Sequence, residues 1–133
     1  MLRDTAVLID NSFYIAGRDD RDKSRFSGYQ RKTIPEIMKD VDLSKPVIMM
    51  DHQPFKLEDV QAAGVDLQFS GHTHHGQIWP FNYITKALFE VSWGYKQKGN
   101  SQFYVSSGYG GWGPPVRTGN RPELVNIHVE FQQ

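Results

Sequence analysis

The chain has 133 residues, of which 38% are hydrophobic and 13% aromatic, and it contains no cysteine. Fifteen basic residues balance fifteen acidic ones, so no basic stripe indicates nucleic-acid binding, and the absence of cysteine excludes disulfides and thiolate metal sites. This length and composition predict one domain with a packed core, and no apolar run is long enough to span a bilayer.

The pattern of residues 5–20 predicts a β-hairpin followed by a charged turn. Residues 5–16 contain two short runs of β-forming residues, and Asp10 with Asn11 between them favours a tight turn. The chain then turns at residues that include Asp19 and Asp20. Two interpretations of this turn stay open. It is a solvated surface turn, or one of its carboxylates orients a histidine of the functional site.

A surface loop and a helix follow. Residues 21–32 are polar and charged, which predicts a loop at the surface. Residues 33–41 predict a helix, since Thr33 suits an N-cap and Pro35 suits the first turn. One apolar face of this helix is expected to join the core and consists of Ile34, Ile37, Met38 and Val41.

The middle of the chain predicts two neighbouring parallel strands that both end in histidines. An apolar strand at 46–50 leads to His52, a short helix covers 55–64, and a second strand at 65–69 leads to a histidine-rich loop. A strand, helix and strand of this length indicate a crossover between parallel neighbours. The histidines would therefore meet at one edge of the sheet, where open α/β folds place their sites.

The histidine-rich loop is the strongest chemical signal. His72, His74 and His75 lie between Gly71 and Gly76. In extended chain His72 and His74 would point to one side and His75 to the other. Neutral imidazole is a common metal ligand, so we expect His52, His72 and His74 to bind metal. The alternative is a histidine-rich surface turn that binds nothing.

The run at 71–80, GHTHHGQIWP, preceded by a strand that ends at His52, resembles the C-terminal half of a calcineurin-like metallophosphoesterase. It is similar to the bacterial branch whose last metal motif is GHTH followed by Gly-Gln. The resemblance implies that His52 and His72 bind the second of two metals and that His74 binds the first. It further implies roles in substrate binding or in supporting the site for His75, Gln77, Arg18 and Asp19.

The resemblance also implies the fold, the reaction and the cofactors. The fold would be part of a four-layer αββα sandwich, mainly its second, mixed sheet with flanking helices. The reaction would be hydrolysis of a phosphorylated substrate at two divalent metal ions. A histidine and carboxylate set does not select among manganese, iron, zinc, cobalt and nickel.

Three motifs of an intact family member are missing from the sequence: D-x-H, G-D-x-x-D and G-N-H followed by an acid. We therefore expect residues 1–133 to be the C-terminal portion of a longer enzyme, to be inactive on their own, and to have only a modest metal affinity that can leave the histidines empty. An apolar sheet face left without its N-terminal half would cause self-association. The compartment stays open, and the longer enzyme would fit a membrane-associated or exported bacterial protein.

The remaining segments predict a helix, a hairpin, a loop and a strand. Residues 81–89 predict a short helix whose aromatic side chains line a pocket or pack in the core. Residues 92–106 predict a hairpin that turns at Gly99 and Asn100, and residues 107–115 an ordered loop near the site. Alternating residues at 124–131 predict a half-buried strand, on which His128 faces solvent.

Two other functions stay open beside the phosphoester hydrolase. One is a non-catalytic module that keeps a remnant of the fold and binds a partner. The other is a self-sufficient mononuclear site formed by the three histidines.

Overall fold

The computed structural model describes residues 1–23 and 28–131, which form one mixed sheet with helices beside it. The predicted loop at 21–32 lies partly outside the described residues. The strands are β1 Thr5–Ile9, β2 Phe13–Gly17, β3 Val47–Met50, β4 Leu67–Ser70, β5 Gly94–Lys98 and β6 Ser101–Val105. The helices are α1 Ile34–Met38, α2 Leu57–Ala62 and α3 Asn82–Leu88, with a 3-10 turn at His74–Gly76.

The sheet has the strand order β1-β2-β3-β4-β6-β5. The four inner strands run parallel, and β1 and β5 pair antiparallel at the two edges. The predicted crossover is confirmed, because β3 and β4 are parallel neighbours joined through α2. The C-terminal ends of these strands therefore lie at the same edge of the sheet, and the α/β class with a mixed sheet is also confirmed.

One face of the sheet is buried under α1 and α2. Ala16, Met49, Gln68 and Phe103 stand in register on four adjacent strands, and all four are buried. Apolar residues from both helices close the core over them: Ile34, Ile37, Met38, Leu57 and Val60. Burial of these side chains is the main contribution to the stability of this layer.

Helix α1 begins where the sequence predicts. Thr33 has extended backbone angles, and both its backbone N–H (2.7 Å) and its hydroxyl (2.7 Å) donate to the Glu36 carboxylate. These contacts give otherwise unpaired groups at the helix start an acceptor. They lower the pKa of Glu36, because hydrogen bonds favour its charged form.

Both predicted hairpins are confirmed. β1 and β2 pair across a three-residue connection in which Asp10 and Asn11 have φ of 45° and 53°, and the N–H of Ser12 donates to the carbonyl of Ile9 at 2.8 Å. Asx residues tolerate this left-handed conformation, and such turns match the twist of the flanking strands. β5 and β6 pair across Gly99 and Asn100, and Gly99 has φ of 57°.

The predicted strand at 124–131 is wrong. These residues have no strand assignment and lie over the sheet face opposite the helices, where the ring of Phe131 is 5.2 Å from that of Phe13. The alternation is still visible, since Val129 is 39% exposed whereas the side chain of His128 is 86% exposed. Alternation reports half-burial, which packing on a sheet face also produces without ladder hydrogen bonds.

The face opposite the helices is apolar and only partly covered. Ile15, Ile48 and Leu67 stand in register on this face and are partly exposed, and Met50 beyond them is 47% exposed. Across the described residues, no helix combines the length and the apolar composition that crossing a bilayer requires.

Candidate metal centre

The ends of β3 and β4 bring His52 and His72 together. The backbone N–H of Gly71 donates to the carbonyl of His52 at 3.1 Å, which extends the contact of the two strands into their loops. His72 Nδ1 lies 3.3 Å from His52 Nε2, and the rings meet edge to face with centroids 5.0 Å apart. The predicted meeting of these two imidazoles is confirmed.

The backbone of the histidine loop is not extended. His72, His74 and His75 have φ of 66°, 46° and 48°, and residues 74–76 form the 3-10 turn. The alternation that we assumed for the side chains therefore does not apply here. Tight turning is favoured by Gly76, at which an added Cβ would overlap the backbone of Asn82.

His74 enters the same cavity as His72, whereas His75 points elsewhere. A cavity of about 380 Å³ is lined by both His72 and His74, and its other walls include Phe81 and Trp112. The ring of His75 instead packs against Trp93, with centroids 5.1 Å apart. The turn thus separates His75 from the other two histidines.

Burial keeps the two cavity histidines neutral. The pKa of His72 lies below its usual range because of burial first and the nearby His52 second. Burial also lowers the pKa of His74, and the positive charge of Arg117 adds to the effect. Neutral imidazole is the form that binds metal, so both side chains are in the ligand state at neutral pH.

The histidines fit part of a metal site. Two nitrogens that each lie 2.0–2.1 Å from a tetrahedral zinc ion are about 3.3–3.4 Å apart, and His52 with His72 match this spacing at 3.3 Å. His74 Nδ1 is buried with no hydrogen-bond partner among the described residues. Within residues 1–23 and 28–131, no group of three or more histidine or carboxylate side chains is arranged to hold an ion. The ligand roles of His52, His72 and His74 stay predictions.

Arg18 and Asp19 support the strand ends and are not seen to contact the histidines. Arg18 Nη1 donates to Asp51 at 2.8 Å, and the Asp19 carboxylate accepts from Lys23 Nζ at 2.7 Å. Of the two carboxylates that the sequence left open, that of Asp20 interacts electrostatically with both His52 and His72.

Asp20 is positioned by a glutamine that sequence reasoning missed. Gln53 is buried, and its Nε2 donates to Asp20 Oδ1 at 2.9 Å. Burial opposes ionisation of Asp20, but this hydrogen bond and the nearby His52 and His72 lower its pKa overall. In the sequence, Gln53 directly follows His52 at the end of a strand, and this position is the signal that could have indicated its role. Its burial could not be expected from the sequence, because an amide side chain is usually exposed.

Gln77 holds the loop that borders the histidine cavity. The two N–H groups of its Nε2 are shared among the carbonyls of Trp112 (2.9 Å), Pro114 (3.1 Å) and Val116 (3.0 Å), and its Oε1 accepts from the Trp112 N–H. The glycine- and proline-rich segment at 107–115 is therefore an ordered loop near the site, as predicted. Gln77 contacts the loop backbone, which is one of its two predicted roles.

Arg117 and Asn120 complete this loop, and Asn120 was missed in the sequence. Arg117 donates to the carbonyls of Ser107 (3.2 Å) and Gly108 (3.4 Å), while Asn120 Nδ2 donates to the carbonyls of His74 (2.9 Å) and His75 (3.2 Å). The turn at 74–76 is thus anchored from residues more than forty positions away, which local patterns do not reveal.

Known proteins similar to this chain carry a consistent description. An uncharacterized metallophosphoesterase of Aquifex aeolicus is 39% identical over 134 aligned residues, which cover 98% of this chain and 50% of the relative. An uncharacterized metallophosphoesterase of Helicobacter pylori strain J99 is 44% identical over 86 residues, covering 63% of this chain and 23% of the relative. A bovine transmembrane protein with a metallophosphoesterase domain is 35% identical over 88 residues, covering 64% and 20%.

The chain belongs to the metallophosphoesterases. The resemblance noted in the histidine loop is therefore confirmed by these relatives, of which the Aquifex protein matches nearly the whole chain. No protein-family model matches the sequence, and no solved structure matches it. The chain spans half the length of the Aquifex metallophosphoesterase and a smaller share of the other two relatives.

Proposed function

We propose that this chain supplies one side of a dinuclear metal centre that hydrolyses a phosphoester. The observation that carries the proposal is the 3.3 Å approach of His52 Nε2 and His72 Nδ1 at the edge where β3 and β4 end. His52 and His72 would hold one metal ion, and His74 would contribute to the other. When bound, two such ions clamp a phosphoryl group and lower the pKa of a bound water.

The chain's own residues prepare this centre in two ways. Burial holds His72 and His74 in the neutral form that binds metal. The Asp20 carboxylate is held by Gln53 and interacts electrostatically with His52 and His72, and its negative charge favours a bound cation.

The cavity beside His72 and His74 is suited to the organic part of the substrate. Its volume is about 380 Å³, and its walls are mainly apolar, with Ile78, Phe81 and Trp112 among them. Apolar walls around a few polar groups are typical of small-molecule sites. A phosphoester with an aromatic or aliphatic group therefore fits this site better than a small, fully polar one.

Metal titration and phosphodiester hydrolysis test this proposal. We expect modest zinc affinity for the chain by calorimetry, because the chain provides only part of the ligand set, and weaker binding after His72→Ala. We expect no hydrolysis of a chromogenic phosphodiester by these residues alone with manganese. A longer protein that adds the D-x-H, G-D-x-x-D and G-N-H motifs should hydrolyse it, and His72→Ala there should abolish activity.

The opposite outcomes are specific. Tight one-to-one zinc binding by the chain alone would favour a mononuclear site. Hydrolysis by the chain alone, or full activity of the longer protein after His72→Ala, would contradict the proposal.

A further inference from the structure

A strongly cationic cavity lies on the helix side of the sheet, at the end of β2. Its volume is about 650 Å³, within the range of small-molecule sites. Against a single carboxylate, that of Asp59, the lining contains five cationic side chains: Arg18, Arg21, Arg31, Lys32 and Lys56. This imbalance is local, because the chain as a whole has no net charge.

The carboxylate of Asp51 neutralises only part of this positive charge. Arg18 Nη1 donates to Asp51 at 2.8 Å, and Arg31 Nη1 donates to the same carboxylate at 3.1 Å. Two guanidinium groups therefore share one carboxylate, which is 1% exposed. Asp51 can balance only one of the two guanidinium charges that it pairs with.

Arg18 is buried without full hydrogen bonding. Its side chain is 9% exposed, and its Nε has no partner among the described residues. Burial lowers the pKa of Arg18; Asp51 opposes this, and the charge of Arg31 adds to it. A buried guanidinium next to a second one is stabilised by any anion that enters the cavity.

The two lysines at the cavity are exposed and weakly engaged. Lys56 Nζ is 3.8 Å from Asp59, and both side chains are more than half exposed, so this pair contributes little. Lys32 has no ion-pair partner among the described side chains. Both ammonium groups are thus available to a ligand.

The rest of the cavity wall is apolar. Ile34, Pro35 and Phe55 contribute to it, and the guanidinium of Arg21 lies 4.9 Å from the centre of the Phe55 ring. A fully polar anion would leave this apolar surface in contact with water. A ligand with an anionic group and an apolar body would bury both kinds of surface at once.

We propose that this cavity is a binding site for a phosphate-bearing ligand with an apolar portion, separate from the histidine cluster. No histidine is among its described lining residues. Arg18 also lines the neighbouring cavity that contains His52, so the two sites are adjacent. Arginine and lysine are the side chains that proteins use for phosphate groups. The proposal does not depend on hydrolysis at the histidines.

Phenyl phosphate in the presence of EDTA is a suitable probe, since chelation removes any metal-dependent binding. We expect saturable binding by calorimetry, with shifts of the backbone amides of Thr33, Ala62 and Ala63 in NMR spectra. Inorganic phosphate should bind more weakly, and phenol should not bind. Absence of saturable binding, or equal affinity for inorganic phosphate, would overturn the proposal.

Exposed lysines provide the variant and its control. The double variant Lys32→Gln with Lys56→Gln should weaken phenyl phosphate binding about tenfold, because two charge-assisted contacts are lost. Lys39→Gln, which removes an exposed lysine outside the cavity, should leave the affinity unchanged. Equal weakening by both changes would indicate nonspecific attraction and would overturn the proposal.

A histidine variant separates this site from the proposed metal centre. In EDTA, the double variant His52→Ala with His72→Ala should retain phenyl phosphate affinity. Loss of binding in that variant would assign the ligand to the histidine cluster and overturn the separate site. Failure of metal binding or hydrolysis, by contrast, would leave the result of this experiment unaffected.

Discussion

At the scale of single residues, the conformation of the turn at His74–Gly76 depends on a few particular residues. Four consecutive residues, from His74 to Gln77, have positive φ, and only Gly76 among them lacks a side chain. Non-glycine residues rarely adopt this conformation, and each such residue carries strain that the surroundings must offset. Asn120, through its bonds to the carbonyls of His74 and His75, is one source of that compensation.

Gly76→Ala should disrupt this turn. The new Cβ would overlap the backbone of Asn82, and φ of 76° is unfavourable for alanine. We expect a loss of about 2 kcal/mol or more in the free energy of unfolding, measured with urea. Gly110→Ala is the matched control, because no heavy atom lies within 4 Å of its added Cβ. Equal stability of the two variants would contradict this account.

At the scale of elements, the site depends on a loop whose residues 112–116 are held by the side chain of Gln77. Gln77 is buried, and its amide faces the carbonyls of Trp112, Pro114 and Val116. The loop lies beside Phe81 and the histidines in the same cavity. Sheet and loop thus form the cavity together, although they are far apart in the sequence.

Gln77→Glu should release this loop. A carboxylate cannot donate to carbonyl oxygens, so residues 112–116 lose their attachment to residue 77 and a buried charge is created. We expect a loss of about 2–3 kcal/mol in the free energy of unfolding. Limited proteolysis should show faster cleavage within residues 107–118. Gln102→Ala, at an exposed glutamine, should change neither measurement. Cleavage at the wild-type rate in the Gln77 variant would show that other contacts hold the loop.

At the scale of the whole molecule, the sheet is covered unequally on its two faces. One face lies under α1 and α2, whereas the other is covered in part by residues 124–131. Partly exposed apolar residues on several strands, with Met50 among them, form a surface that proteins usually bury against a partner.

We therefore expect these 133 residues to self-associate in solution through the partly covered face. Light scattering should give a mass above that of a monomer, and Met50→Lys should shift it toward the monomer. Leu43→Lys, at an exposed leucine in the connection between α1 and β3, should not. A compact wild-type monomer at high protein concentration would contradict the expectation.

The sequence by itself determined the elements and the place where the histidines meet. Both hairpins and the helices between the strands were predictable, because they depend on residues that are close in the chain. These local features are the apolar runs, the Asx and glycine turns, and the Thr33 cap. The same holds for His52 and His72, because two parallel strands joined by a short helix must end at one edge.

Only the tertiary structure decided what depends on distant residues. The positive φ angles of the histidine loop are supported by Asn120 and contradict the alternation assumed from sequence. Residues 124–131 have the pattern of a strand, but they lie on a sheet face instead of pairing, since alternation encodes burial and not hydrogen-bond partners. The cationic cavity arises because residues from separate loops and helices converge, which no local pattern in the chain expresses.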